Sequence, residues 1–492
     1  MLMKYFQVYG DSLVYGDIAK HMIRVGHYLI TRPTGEVLPT MIRLPGYPLF
    51  LELCFRLFGM ENYAPACWVQ IALELMGCLL LADFARRIAP APLGKGAAHG
   101  TLWLAALCPF TAIYAAQPLT ESLTLFAIAL ALWSMACFCR QPGWVPALWF
   151  TVAVTAAALL RPDGALLGLS LAPALVVGLG RTKAGCPTLA AFLFLRLGWD
   201  RKHLGAPSLP RSCFCGKGGK PQNSTGPKLA RLALVCLLLA LAPFAAWSWR
   251  NWQVFHLFQP LVPRYANDPD QATYPGWQRW VKSWSLDFVS TSQIYWPVPG
   301  KPLMMNKLPR RAFDSPAQYA ETAALVADYN NRDGATDLVP DVDERFGQLA
   351  QERIAAHPLR YYLWLPLGRL ADMWMRPRVE LFYDDLDWWV YAHHPARTRE
   401  CWAYAGLNGV YLLLGLAGLC RRPRYWPWMV AYFALRGGLL MTLEAPEARY
   451  TLECFPMLFA LGGVWLAGGW QWMTRRLRAS GEPCAVTSSA SG

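Results

Sequence analysis

An all-α protein that crosses a membrane many times is the fold class these 492 residues describe. Three observations point there. Residues of the AVILMFWYC set make up 55% of the chain and charged residues only 16%, whereas an ordinary soluble domain carries roughly 25% charge. The apolar residues gather in runs of about 20, the length an α-helix needs to cross a bilayer. Basic residues fall in every second loop between those runs, the pattern of membrane proteins that keep positive loops on the cytoplasmic side. A water-soluble chain of this length needs charged surface that is missing here. This excludes a cytosolic globular enzyme, a disordered protein and a coiled coil.

Nine segments read as membrane helices: 64–84, 97–117, 119–139, 145–160, 164–180, 229–249, 402–420, 425–443 and 452–472. The fourth and fifth are short and are separated by Arg161-Pro162-Asp163, so they form a tight hairpin. Segment 45–59 begins with two prolines and carries Glu52 and Arg56; segment 358–376 carries Arg360, Arg369 and Asp372. Both are too short or too charged to cross and are expected at the membrane surface.

The basic residues orient the bundle. Arg86, Arg87, Lys95, Arg140, the cluster Arg421, Arg422 and Arg424, and Arg475, Arg476 and Arg478 all fall on one side. So does region 181–231, with ten Lys/Arg and one acid, Asp200. The opposite side receives residues 1–62, the turns at 117–121, 161–163 and 444–451, and the large loop 251–400, where 16 basic and 18 acidic residues nearly balance. The net charge of +14 is therefore a topology signal, and nucleic acid is not an expected partner. The expected organisation is an N-terminal catalytic membrane module (1–250) with an outer loop 1–62 and a basic cytoplasmic insertion (181–228), an extracytoplasmic region (251–400), and C-terminal membrane helices with a cytoplasmic tail (401–492). Nine spans with alternating basic loops put the N-terminus outside, although six Lys/Arg up to Arg56 oppose its export. A further apolar helix upstream of Met1 is therefore expected; it would place both termini inside.

Within 251–400, Asp341 and Glu344 resemble a capping box opening a soluble helix. Trp277, Trp280, Trp284, Tyr295 and Trp296 can stack on sugar or anchor the loop at the bilayer surface. The 14 cysteines are mostly singletons in apolar runs, and 251–400 contains none, so no disulfide framework is indicated. Segment GKGGKPQNSTG lacks the spacing of a phosphate-binding loop, and Cys186, His203, Cys213 and Cys215 lack zinc spacing. The sequon at Asn223 lies in a loop expected in the cytoplasm.

The residues with chemical potential lie on the outer side. If 11–19 is helical, Tyr15, Ile18 and Ala19 face the bundle and Asp11 leads that face. Asp11 is either a carboxylate aimed inward or a helix cap beside Ser12. Arg43 precedes Pro45-Gly46-Tyr47-Pro48 and suits a lipid phosphate or a generic interfacial position. Glu121 opens a helix after Thr120, where the helix dipole is the simpler reading, and Arg161 closes one next to Asp163, where a helix-end cation in an ion pair is the simpler reading. Glu74 and Arg436 lie mid-helix, where charge is costly, and can pair with each other or line a substrate path. Arg449 is an anion-binding candidate or the partner of Glu447.

In order, these residues spell Asp-x-x-x-Tyr-x-x-Ile-Ala (11–19), Arg-x-Pro-Gly-Tyr-Pro (43–48), Thr-Glu (120–121), Leu-Arg-Pro-Asp-Gly (160–164) and Ala-Arg-Tyr (448–450). The set resembles the C superfamily of membrane glycosyltransferases: bacterial kin of the protein O-mannosyltransferases, the aminoarabinose transferase of lipid A, and the lipopolysaccharide galacturonosyltransferases of the Rgt type. The resemblance covers most of 11–180 and, loosely, 402–472. Many members carry two adjacent acids where this chain has Asp11 followed by Ser12. The resemblance implies a polyprenyl-phosphate sugar donor and transfer to an acceptor hydroxyl of a glycan, lipid or protein. The setting implied is the outer face of a bacterial inner membrane, within cell-envelope and lipopolysaccharide assembly. It implies Asp11 as catalytic base and Arg43, with Arg449 and Arg161, as binders of the donor phosphate. Asp17, Tyr15 and Glu121 are acceptor-binding or supporting candidates. One base without a carboxylate nucleophile implies single displacement with inversion. No cofactor is expected; a divalent cation is left open. The rival reading is a transporter or lipid flippase, which needs charges along a path through the membrane; a third is a non-catalytic assembly protein in which Asp11 is dispensable.

Overall fold

A computed structural model describes residues 6–183, 225–332, 338–379 and 395–481, with side chains outside 178–183, 225–230 and 477–481. Most of the basic insertion 181–228, with its cysteines and sequon, lies outside the described residues.

The chain begins on one face of the molecule with helix α1 (Asp11–Val25). Its amphipathic pattern buries Ile18 and Ala19 completely. A short antiparallel ribbon follows, β1 (Leu29–Thr31) against β2 (Val37–Pro39), with Ile30 opposite Leu38. The ribbon was not expected from the sequence; its turn is made by Gly35 at φ 87°, and the Arg32 N–H donates to the carbonyl of Glu36 across it. Helix α2 (Gly46–Phe58) then packs Tyr47, Leu51, Cys54 and Phe55 against α1 and leaves Leu49, Leu53 and Leu57 exposed. It is apolar on both faces, as a helix lying between protein and lipid must be.

The bundle is built from α3 (Tyr63–Ile88), α4 (Gly94–Ala106), α5 (Pro109–Ala115), α6 (Glu121–Arg140), α7 (Trp144–Leu160), α8 (Ala165–Lys183), α9 (Thr225–Phe255), α14 (Pro395–Cys420), α15 (Trp426–Met441) and α16 (Phe455–Gly481). All nine expected segments are helical. Five stretches are long and apolar enough to cross a membrane: Tyr63–Ile88, Glu121–Arg140, Arg231–Phe255, Pro395–Cys420 and Ala448–Arg476. The segment expected at 97–117 is not one rod. It breaks between α4 and α5 with a 55° bend, because Cys108 precedes Pro109 and is held extended, with ψ 112°. Helix α6 is buried along most of its length, whereas α9 exposes Leu234, Leu237, Leu238 and Leu241. An isolated soluble protein does not leave such a face to water; it is a lipid-facing surface, and the chain is a multi-pass all-α membrane protein.

Small residues set the closest helix approaches. Helix α16 lies against α4 and α14, and a Cβ on Gly463 or Gly418 would collide with Thr101 or with the carbonyl of Leu461.

Between α9 and α14 lies a separate cap with its own core. It contains α10 (Pro275–Lys282), α11 (Pro316–Asn331), α12 (Pro340–Ala356) and α13 (Leu365–Met375). Trp277, Trp280 and Trp284 are 0–1% exposed; Trp277 meets Phe346 and Trp284 meets Trp280 edge-on, while Trp280 lies tilted against Phe346 and Trp277. These three therefore neither stack on sugar nor anchor at a bilayer; they fill a core that the cap could not otherwise build. The expected capping box is also absent: Val339 is the N-cap of α12, with no side-chain bond, and Pro340 opens the helix. Asp343 instead accepts from the backbone N–H groups of Gly276 and Trp277, tying α12 to α10. In 358–376 the charges turn inward. Arg369 is buried and donates to the carbonyls of Lys282 and Ser285, and Arg360 forms a two-pronged pair with Asp314 at 2.7 Å. Leu359, Tyr362, Leu363 and Trp364 are exposed beside them.

Candidate functional site

A cavity of about 990 Å³ lies between one end of the bundle helices and the cap. Several segments converge on it: the start of α1, the loop before α2, the end of α5 through the start of α6, the end of α7, residues 262–266, the turn at 445–450 and the cap segment around Tyr295.

Each ionisable wall residue is placed by local structure. Gly10 is the N-cap of α1 and Asp11 its first residue, so Asp11 is not the cap, although it stands in the first turn where the helix dipole favours an acid. Arg43 donates to Asp11 at 2.6 Å, and Arg449, 438 residues away, reaches its second oxygen at 3.4 Å. The loop that carries Arg43 is braced from three sides. Tyr28 donates its hydroxyl to the carbonyls of Arg43 and Leu44. Arg250 donates to the carbonyl of Thr40. Asp268 accepts from the Thr40 hydroxyl and the Met41 N–H. A Cβ on Gly46 would lie 2.6 Å from the carbonyl oxygen of Leu159, so glycine there lets α2 start directly against α7.

The charges continue as one chain. Arg449 pairs with Glu447 at 2.7 Å and lies 3.6 Å from Glu121. Glu121 lies 3.5 Å from Arg161, which pairs with Asp163 at 3.3 Å and Glu453 at 2.8 Å. Behind these, Arg436 bridges Asp163 (3.1 Å) and Glu453 (2.6 Å) and donates to the carbonyl of Tyr450. Both Arg161 and Arg449 lie over the Tyr450 ring, at 5.3 and 5.5 Å, and the Tyr450 hydroxyl donates to Glu447.

Several expectations change in this light. Arg436 and Glu74 do not pair: Arg436 belongs to the network just described, and Glu74 accepts from Ser122 within the bundle. Neither lines the large cavity. Asp17 does not reach it either. It holds the ribbon, accepting from the N–H and hydroxyl of Thr31 and pairing with Lys20. Asp11, Tyr15, Arg43, Glu121, Arg161 and Arg449 all stand in its wall. Of the five aromatics singled out in the cap sequence, Tyr295 and Trp296 line it, and Trp296 is 49% exposed. Glu453 was missed by sequence reasoning. Its signal is a carboxylate inside the apolar run TLECFPMLF, where an acid persists only when paired.

The electrostatics follow from burial and pairing. Burial pushes the Asp11 carboxyl up, but the Arg43 and Arg449 guanidiniums together outweigh it and hold the group below its ordinary value. Burial pushes the Tyr15 hydroxyl up to about 12, so it stands as a neutral donor beneath Arg43, whose guanidinium is 5.8 Å from its ring. The wall presents three arginines matched by Asp11, Glu121 and Glu447. An anion entering the cavity must therefore compete with a carboxylate for each guanidinium. Among the described residues no group of three or more His, Cys, Asp or Glu could hold a metal ion.

No family model matches the chain, and no curated protein matches it in sequence. Two solved structures are similar over most of its length. ArnT from Cupriavidus metallidurans in the apo state is 16% identical over 94% of this chain and 73% of that one, with a TM-score of 0.35. ArnT from Cupriavidus metallidurans bound to undecaprenyl phosphate is 16% identical over 93% and 74%, with a TM-score of 0.36.

Proposed function

We propose that this protein is an integral membrane glycosyltransferase. It moves a sugar from a polyprenyl-phosphate donor to an acceptor hydroxyl at the extracytoplasmic face of a bacterial inner membrane. The observation that carries the reading is the Asp11 carboxylate held between Arg43 and Arg449 at the wall of a large cavity at the bundle end.

In this reading the acceptor oxygen attacks the anomeric carbon from one face while the bond from that carbon to the phosphate oxygen breaks on the other. The hydroxyl proton goes to Asp11, and the lipid phosphate leaves with its charge met by Arg43, Arg449 and Arg161. With one displacement the configuration inverts. The ion pairing adds a step that the residues alone do not suggest. A carboxylate bonded to two arginines is a weak base. Donor phosphate draws Arg43 and Arg449 toward itself, and Asp11 then regains basicity once the donor is in place. Trp296, on the cap side of the cavity, supplies an exposed ring for the sugar or acceptor.

Charges gathered at one end favour surface chemistry over a transmembrane path. Membranes containing the protein, supplied with radiolabelled polyprenyl-phosphate sugars and an envelope extract as acceptor source, test this. Label should move to an acceptor with the wild-type protein and not with Asp11→Asn. Label that crosses the bilayer still attached to its lipid would establish the flippase reading instead.

A further inference from the structure

At the other end of the bundle a second concavity, of about 540 Å³, is enclosed by the 91–93 turn, the end of α14 and the last turns of α16. Its charged lining residues are Arg421 and Arg475, and no carboxylate lines it. Neither arginine makes an ion pair among the described residues, in contrast to Arg86 and Arg87, which both pair with Asp83. Arg421 is instead laid over the Trp465 ring, 4.8 Å from its centre. Gly468 makes the seat: a Cβ there would stand 2.6 Å from the guanidinium carbon. Gln471 and Trp472 complete a wall of donors and aromatic rings.

The position is that of a bilayer's polar zone. From Phe455 to Arg475 helix α16 runs 20 residues, a rise of roughly 30 Å at 1.5 Å per residue, which matches the hydrocarbon thickness. Leu413 and Leu416 are exposed on α14 one to two turns toward the bundle centre from Arg421, where acyl chains can lie. We propose that this crevice binds the headgroup of an anionic phospholipid from the leaflet opposite the large cavity, its phosphate held between Arg421 and Arg475 and its chains against α14. Two unpaired guanidiniums, one fixed on a tryptophan, match a phosphodiester in charge and in donor geometry. The inference stands on the membrane-spanning fold alone and does not depend on the transfer reaction.

The test uses the full chain in nanodiscs of phosphatidylcholine with increasing phosphatidylglycerol, reading lipid retained on the protein by native mass spectrometry and the melting temperature. The wild type should retain phosphatidylglycerol selectively and melt higher with it. Arg421→Gln/Arg475→Gln should lose affinity about tenfold or more, since each basic side chain near the headgroups contributes about 1 kcal/mol. Arg422→Gln/Arg424→Gln, which removes equal charge outside the crevice, should retain it. Equal loss in both double variants would overturn the site in favour of diffuse surface charge. Retention in the first variant, or full displacement of the lipid by millimolar inorganic phosphate, would overturn it as well. If the double variant fails to fold, Gly468→Ala provides the same reading by evicting the guanidinium from its seat while both arginines remain.

Discussion

Asp11 stands at the meeting point of two arginines, and its chemistry follows from that position. With Asp11 as the base we propose, Asp11→Asn keeps the size of the side chain but removes the proton acceptor, so transfer should fall roughly 10²–10⁴-fold, the scale of general base catalysis, with expression unchanged. Asp17→Asn should transfer at close to the wild-type rate, since Asp17 bonds Thr31 and Lys20 away from the cavity. A transfer assay on both variants decides; activity lost in Asp17→Asn and kept in Asp11→Asn would refute the assignment. Arg43 offers a planar fork that lysine lacks, so donor affinity should fall in the order wild type, Arg43→Lys, Arg43→Ala. Because the folded-state pKa of Asp11 is depressed, the ion pairs contribute stability that is present above the unfolded-state pKa and lost as pH falls through the folded value. The melting temperature of the wild type should therefore exceed that of Asp11→Asn at neutral pH. The gap should close as pH drops below the ordinary carboxylate range. In Arg43→Ala the acid limb of kcat/KM should move to higher pH, because one of the two charges holding the carboxyl down is gone.

The loop 40–44 shows how an element delivers a residue. Its own bonds are two, from the Ile42 N–H to the Thr40 hydroxyl and from Arg43 to the Ile42 carbonyl, and the rest of its path is set from outside. Thr40 and Met41 are held by Asp268, the Thr40 carbonyl by Arg250, and the carbonyls of Arg43 and Leu44 by Tyr28. Asp268→Ala would leave the buried Met41 N–H unpaired, which costs about 1–3 kcal/mol. Donor KM should rise with it, because Arg43 loses its anchorage, and a donor titration reads this directly. Gly46→Ala acts on the same loop from the other side. Its new methyl group meets the Leu159 carbonyl, so α2 must move away from α7 at a cost of about 1–3 kcal/mol. A thermal melt together with the same titration checks it.

Across the molecule, four buried or half-buried arginines and five carboxylates form one network that joins α1, α6, α7, α15 and the turn before α16. Its deepest cation, Arg436, is fully buried. Arg436→Met would leave Asp163 and Glu453 to share Arg161 alone, with one buried charge uncompensated, a loss of about 3–5 kcal/mol. Adding Glu453→Gln should restore part of it. Melting temperatures of the single and double variants in detergent measure that coupling, and simple additivity would show that the two residues do not share a network.

The sequence by itself determined the helical membrane class and where its apolar helices lie, although five of the nine expected spans are single helices long and apolar enough to cross. Hydropathy and loop charge are properties of single segments in a two-phase solvent, and they need no knowledge of neighbours. The inward face of α1 was legible for the same reason: Ile18 and Ala19 fall on one stripe of a 3.6-residue period and are buried. Partnership was legible only between near neighbours, as in Arg161 with Asp163 and Arg449 with Glu447. Arg436 and Glu74 look matched along the chain, yet Asp163 and Glu453 take Arg436. The tryptophans of the cap look like a sugar platform, yet Trp277, Trp280 and Trp284 are core. Ion pairs and close packing depend on atoms a few ångströms apart that the chain brings from hundreds of residues away. Only the tertiary structure decided that Arg449 reaches Asp11, that Asp17 turns away to the ribbon, and that Glu453 closes the network behind the site.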